Sequence, residues 1–353
     1  MLALVACLAV WACAGSSTSP SPSPAATPGA STTATAQPSS AGSPGPSIDP
    51  PALVRAGEPW IAYQWLTEAG MDGIFLVRPD GTGNHQLVPD LDGHEWHPAW
   101  SPDGKQLAFI HVNADDTREL WIVDADGANA RRLATCLPPC NNTILPDWVA
   151  ADPGGIYVSR DADVPPSGGI PQTFMLSRFD VATETMADVV VRKDGWVAEE
   201  WRVSRDLASA VFVGGDMSVD AMTRVYIVDL DTDMQLVLSK DEVSPARPDW
   251  LPDGRIVFDA PGLGLYNERD GGPGNLYVVK PDGTNLEELT HYAEPNTGAF
   301  QPRVRPDGTG ITITKLLERY TRPMAELDLD GGNERYLTPN QLPGTHIEVR
   351  PLP

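Results

Sequence analysis

His97-Pro98-Ala99-Trp100-Ser101-Pro102-Asp103-Gly104-Lys105 decides the fold, because the chain repeats it. Pro248-Asp249-Trp250-Leu251-Pro252-Asp253-Gly254-Arg255 and Pro302-Arg303-Val304-Arg305-Pro306-Asp307-Gly308 are clear copies. Pro146-Asp147-Trp148, running to Asp152-Pro153-Gly154, and Glu200-Trp201-Arg202-Val203-Ser204-Arg205-Asp206 are worn ones, and Ile347-Glu348-Val349-Arg350-Pro351 closes the chain. Anchored on the Trp position, the copies fall at 100, 148, 201, 250, 304 and 349, in steps of 48, 53, 49, 54 and 45 residues. That period predicts one four-stranded unit, repeated and stacked into a ring. Within a copy, Trp is a wedge between neighbouring sheets, Pro ends the strand, and Asp-Gly makes a tight hairpin turn with a residue at positive φ. The expected fold is all-β, a six-bladed β-propeller.

Gly57 to Tyr63 matches Gly104 to Ile110, the second strand of a repeat. The matching first strand is His346 to Pro351, so the two ends are expected to build one blade and leave no open edge. Trp-Ser-Pro-Asp-Gly followed by the strand Gln106-Leu107-Ala108-Phe109-Ile110 resembles the TolB-type propeller repeat. The resemblance covers roughly residues 55–353 and implies the same propeller. TolB itself carries an α/β domain before its propeller and works with the peptidoglycan-associated lipoprotein. Here a Ser/Pro-rich spacer takes that place, so the partnership is not carried over.

Residues 1–13 read as a signal peptide of lipoprotein type, 14–50 as a disordered Ser/Pro/Thr-rich linker, and 51–353 as the propeller. The apolar run from Met1 to Ala12 is too short to span a bilayer and matches the core of an export signal. Cys13 fits a lipidation site best by position and Cys7 best by letter; a plain secretory signal is the alternative. Ser16 to Ser47 has no charge and almost no large apolar residue, so it cannot repay its ordering entropy. An exported, membrane-anchored envelope protein follows as the expectation, monomeric, with an envelope protein or glycan as partner.

Formal net charge is −23, of which only Asp49 falls in the first fifty residues. Lys and Arg are scattered with no run that could follow a phosphate backbone, which argues against nucleic acid. Every long insertion lies in a second-to-third or fourth-to-first connection: Cys136 to Leu145, Asp161 to Pro171, Gly214 to Thr223, Pro261 to Gly274 and Leu316 to Arg322. These share one face of the disc, where recognition is expected. Cys136 and Cys140, in an exported protein, are expected to form a local disulfide.

The same face receives the start of each innermost strand. Three residues before the anchor stand His97, Leu145, Ala198, Arg247, Gln301 and His346. Arg247, Gln301, His346 and His97, with His94 nearby, are expected to line the channel mouth and bind a ligand. Imidazoles bind divalent metal or move protons. The resemblance adds that some TolB-like propellers are oligogalacturonate lyases with a His/Gln metal site on the channel. It would make His97, His346 and Gln301 metal ligands, and Arg247 the holder of a substrate carboxylate. No nucleophile elbow or phosphate-cradling loop is present, and no catalytic residue is assigned. The sequence therefore favours a binding module without a cofactor. The alternative is an envelope enzyme, a metal-assisted polysaccharide lyase or lactone hydrolase.

Overall fold

The computed structural model describes residues 54–55, 57–136, 140–163, 171, 173–193, 195–218, 223–239, 245–261, 273–317 and 322–352. The expected signal, Cys7, Cys13 and the linker fall outside these. Among the described residues every regular element is a strand.

The first sheet joins the two ends of the propeller. β1 (Ile61–Leu66), β2 (Asp72–Val77) and β3 (His85–Gln86) follow one another, and β24 (Thr345–Val349) lies against β1 with Ile61 opposite Val349. The next three sheets are sequential rows of four. β4 (His94–Trp100) to β7 (Arg131–Thr135) run through β5 (Gln106–Val112) and β6 (Arg118–Asp124). β8 (Cys140–Asp147), β9 (Gly155–Ala162), β10 (Thr173–Asp180) and β11 (Thr185–Lys193) form the third sheet. β12 (Trp196–Val203), β13 (Ser209–Asp216), β14 (Arg224–Asp229) and β15 (Gln235–Val237) form the fourth. A fifth, eight-stranded sheet holds β16 (Ala246–Trp250), β17 (Ile256–Pro261), β18 (Gly274–Val279) and β19 (Glu287–Glu288). It continues through β20 (Gly298–Val304), β21 (Ile311–Leu316), β22 (Met324–Leu327) and β23 (Arg335–Tyr336). The sheets have a propeller arrangement.

Neighbours within each row are antiparallel, except that β18 meets β20 in one parallel pair, Gly274 with Gly298. A Cβ on Gly298 would lie 2.3 Å from the Gly274 carbonyl, and one on Gly274 would lie 2.1 Å from the Phe300 ring. Only glycine allows that approach.

The apolar core lies between sheets, as the wedge reading of Trp expects. Trp60 and Leu76 pack with Trp100, Leu107 and Phe109; Ile110 and Leu120 pack with Ile156 and Phe179. The Trp100 indole N–H also donates to the Glu348 carbonyl at 3.2 Å, and Trp250 donates likewise to Arg202 at 3.1 Å. Trp100 and Trp250 thus fill inter-sheet gaps and satisfy a carbonyl of the preceding innermost strand. Ring closure has its own clasp. Buried Arg350 donates from Nε to the Gly104 carbonyl at 2.6 Å and from Nη1 to the carbonyls of Arg55 and Glu58 at 2.8 and 3.1 Å.

The insertions are shorter than the sequence suggests, because strands extend into them. β8 begins at Cys140, β9 reaches Ala162, β13 reaches Asp216 and β17 reaches Pro261. Residues 137–139, 164–170, 219–222, 262–272 and 318–321 of these insertions lie outside the described residues. Cys136 and Cys140 are joined in a disulfide.

Candidate functional site at the channel mouth

Each innermost strand carries the same irregularity. The register slips between Trp96 and Ala99, Ile144 and Asp147, Glu199 and Arg202, Ala246 and Asp249, and Phe300 and Arg303. In the last strand it slips opposite Ala62 and Gln64. These are β-bulges, and in each a non-glycine residue takes left-handed φ: His97 (56°), Leu145 (51°), Glu200 (55°), Arg247 (51°), Gln301 (55°) and His346 (49°). Proline follows four of them, where its missing N–H removes no ladder bond. Such conformations cost on the order of 1 kcal/mol or more each and persist only where packing holds them. Here they aim six side chains at one small cavity of about 30 Å³, room for one or two waters.

This ring corrects one member of the expected set. Ala198 is buried in the sheet, and Glu200 takes its place at the mouth. Trp201 occupies the Pro98 position rather than the Trp100 position, where Val203 stands. It stacks on Phe212 with ring centres 4.1 Å apart. Ser204 and Asp206, which repeat the Ser101–Asp103 hydrogen bond, were the signal for the right alignment. His97, Arg247, Gln301 and His346 are brought together as expected. His94 stands outside the cavity, its Nδ1 3.1 Å from Asp72 in the joint between the first two sheets.

The ring is tied by its own hydrogen bonds. Leu145 N–H donates to His97 Nδ1 at 3.4 Å, Arg247 N–H to Glu200 Oε2 at 2.6 Å, and His346 N–H to Gln301 Oε1 at 3.1 Å. Gln301 Oε1 also accepts from Thr314 at 2.9 Å, which fixes the amide and leaves Nε2 facing His346 Nε2 at 3.4 Å. The His97 and His346 rings meet edge to face, 4.3 Å apart. Burial pushes the His97 imidazolium pKa down to about 3, helped by Arg202, Arg247 and Arg118. Burial, then His97 and the arginines, push His346 well below its usual range. Both rings are therefore neutral at physiological pH. Arg247 Nη1 reaches Asp259 at 3.2 Å, and burial lifts that carboxyl to about 7 against the attraction of Arg247.

Two residues further along the innermost strands a second ring stoppers the channel: Ala99, Asp147, Arg202, Asp249, Arg303 and Glu348. Arg303 reaches Asp147 at 2.8 Å, Asp249 at 3.3 Å and Glu348, three carboxylates from three other strands. Asp249 and Asp147 accept from the backbone of Val304 (2.7 Å) and Val203 (3.4 Å), the next innermost strands around the ring. Sequence reading missed this layer, because in single copies its residues pass for ordinary strand polars.

Among the described residues no three His, Cys, Asp or Glu side chains gather as metal ligands. The proposed metal trio is close, but one nitrogen of each imidazole and the Gln301 carbonyl oxygen lie in contacts of their own: His97 Nδ1 with the Leu145 N–H, His346 Nε2 with the Gln301 amide, and Gln301 Oε1 with two donors. As arranged, the trio does not fit a metal.

No protein-family model matches the chain. An uncharacterised protein of Agrobacterium fabrum is 23% identical over 254 residues, 67% of this chain and 73% of that one. Among solved structures, TolB from Acinetobacter baumannii superposes with a TM-score of 0.62 at 14% identity, over 82% of this chain and 66% of that one. An oligogalacturonate lyase in complex with manganese superposes with a TM-score of 0.51 at 16% identity, over 80% and 74%. The chain thus spans only part of TolB, and at these identities the likeness is one of fold: an all-β propeller with TolB-type neighbours.

Proposed function

We propose that this chain is an exported six-bladed propeller that works as a binding module, holding an envelope protein or glycan on the face of its long connections. The blade count is supported by the eight-stranded sheet, whose two runs of four touch through one residue pair, and by the six bulged strands. Export is supported by the disulfide, which persists in oxidising compartments. Lipid anchoring at Cys13, or at Cys7, belongs to the same reading and is read directly from the mass of the mature N-terminal peptide.

The carrying observation is that the channel is closed. Arg303 and its carboxylates block it, and the space above them, about 30 Å³, is an order of magnitude below the several hundred Å³ of ordinary ligand pockets. Binding then falls to the rim. A photo-crosslinker at Ala69 or Ala114, exposed in second-to-third turns, is expected to capture the envelope partner, and one at exposed Lys105 on the opposite face is not. Capture from Lys105 alone, or from none of the three, refutes the assignment.

One observation favours a second reading, a metal-assisted polysaccharide lyase or lactone hydrolase: His346 is adjacent to both His97 and Gln301. In it His97, His346 and Gln301 would hold a divalent metal after breaking the hydrogen bonds described above. The metal would supply Lewis acidity, and Arg247 would hold a substrate carboxylate. Stoichiometric manganese or calcium, lost in the His97→Ala/His346→Ala double variant, would favour this reading over the first and direct a screen of acidic polysaccharides.

A further inference from the structure

The mouth contains a guanidinium nitrogen without a hydrogen-bond partner. Arg202 rises from the stopper layer into the cavity lining, and its Nη1 is fully buried without a hydrogen-bond partner among the described residues. Asp147, Asp249 and Glu348 share their charge between Arg202 and Arg303, but their close contacts are with Arg303 and none accepts a hydrogen bond from Arg202 Nη1. A buried donor left unsatisfied costs on the order of 1–3 kcal/mol, more when it is charged, and native structures rarely leave one without a use.

His346 presents a second such donor. Gln301 Nε2 can only donate, because its amide oxygen is fixed by Thr314 and the His346 backbone. With His346 Nε2 accepting from that amide, the ring proton is placed on Nδ1. Nδ1 is also buried and unpartnered, and His346 lines the same cavity. The same logic puts the His97 proton on Nε2, since Nδ1 accepts from Leu145. Arg202, His346 and His97 thus all line the same space of about 30 Å³.

We propose that this cavity is a carboxylate-binding site for a small monoanion, held on Arg202 Nη1 and His346 Nδ1. The site is separate from whatever the rim holds. Its size admits one head group, not a sugar ring or a chain. A net charge of −23 also repels polyanions, which leaves a small molecule with a single carboxylate as the fitting class. Glu200 is the opposing feature. It shares the cavity lining, and its Oε2 is fixed by the Arg247 N–H. Its charge weakens an anion's hold without blocking the donors.

The probe is acetate, titrated into the purified chain and followed by ligand-observed NMR at low salt, with methylammonium as the cation control. Saturable one-to-one acetate binding is expected. Arg202→Met should weaken it at least tenfold, since charge-assisted hydrogen bonds are the strong ones. Arg202→Lys and His346→Phe should weaken it severalfold, and Glu200→Gln should strengthen it. If Arg202→Met does not fold, Arg202→Lys, His346→Phe and Glu200→Gln decide the matter. Absent acetate saturation of the folded wild type overturns the proposal. So does affinity unchanged across the folded Arg202 and His346 variants, or saturation by methylammonium or manganese instead. Crosslinking from the rim is read separately, so failure here leaves the binding-module reading to its own test.

Discussion

Arg303→Met is the substitution that most directly tests the closed channel. It keeps most of the stem and removes a guanidinium that reaches Asp147 at 2.8 Å, Asp249 at 3.3 Å and Glu348. All four side chains are largely buried, Arg303 at 17% exposure and its partners at 8–12%. Removing one member of a buried ion cluster costs about 3–5 kcal/mol, because the others stay desolvated without compensation. Arg202 remains to share the carboxylates, so about 4 kcal/mol is the expectation. At roughly 2.1 cal/mol/K of unfolding entropy per residue over about 300 residues, that is a melting temperature lower by about 6 °C. The pH response identifies the cause. Burial would raise the Asp147 pKa, but Arg303 and Arg202 hold it below its usual range. Without Arg303, burial prevails and the folded state keeps a proton that the unfolded chain has released. The variant's deficit should therefore shrink from pH 7.5 to pH 5. Urea unfolding at both pH values measures it. A variant as stable as wild type at pH 7.5, or a deficit independent of pH, would refute the ionic stopper.

Three further outcomes follow from the same geometry. Arg350→Ala removes three hydrogen bonds that hold the closing strand to Gly104, Arg55 and Glu58, and should cost about 3 kcal/mol in urea unfolding; less than 1 kcal/mol would mean the ends are held by β1 and β24 alone. Burial lifts Glu95, fully enclosed, to about 8, so the folded state holds its proton while the unfolded chain releases it near 4.5; stability should fall by up to about 1.4 kcal/mol per pH unit between these values, and Glu95→Gln should flatten that slope. Reducing the Cys136–Cys140 disulfide opens a five-residue loop and should cost only about 2 kcal/mol, so a melting curve in dithiothreitol that shows global collapse would contradict a merely local brace.

The fold was legible because its signals are local and repeated. Asp-Gly turns and alternating strands need no long-range information, and the phase of Gly57 to Tyr63 was enough to pair the chain's two ends. The site was only half legible. His97, Arg247, Gln301 and His346 were found by counting back from the anchor, which works where Trp or its substitute holds the wedge position. It failed at Trp201, a large aromatic two residues early, and that hid Glu200. Anchoring on Ser204 and Asp206, which build the turn, would have found it, because turn chemistry tolerates less drift than a packing position does. The stopper escaped for a different reason. Asp147, Asp249, Arg303 and Glu348 come from strands up to 201 residues apart in the chain, and only ring closure makes them neighbours.

The two layers also bear on the choice between binding and catalysis. A metal centre needs lone pairs aimed inward, and this mouth has them aimed sideways, each accepting from a neighbouring strand of the ring. The buried groups left without a partner on residues lining the cavity, Arg202 Nη1 and His346 Nδ1, are donors. Such a mouth suits an incoming acceptor. To serve a metal, it would have to exchange the hydrogen bonds that hold its bulges for coordination bonds, with Arg202 and Arg247 alongside opposing the added charge. Converting the mouth to a metal site would therefore require more than the His and Gln types already present. The positive charge of Arg202 opposes a cation, so an Arg202→Leu variant should bind manganese more tightly than wild type; equal affinity would refute an electrostatic barrier.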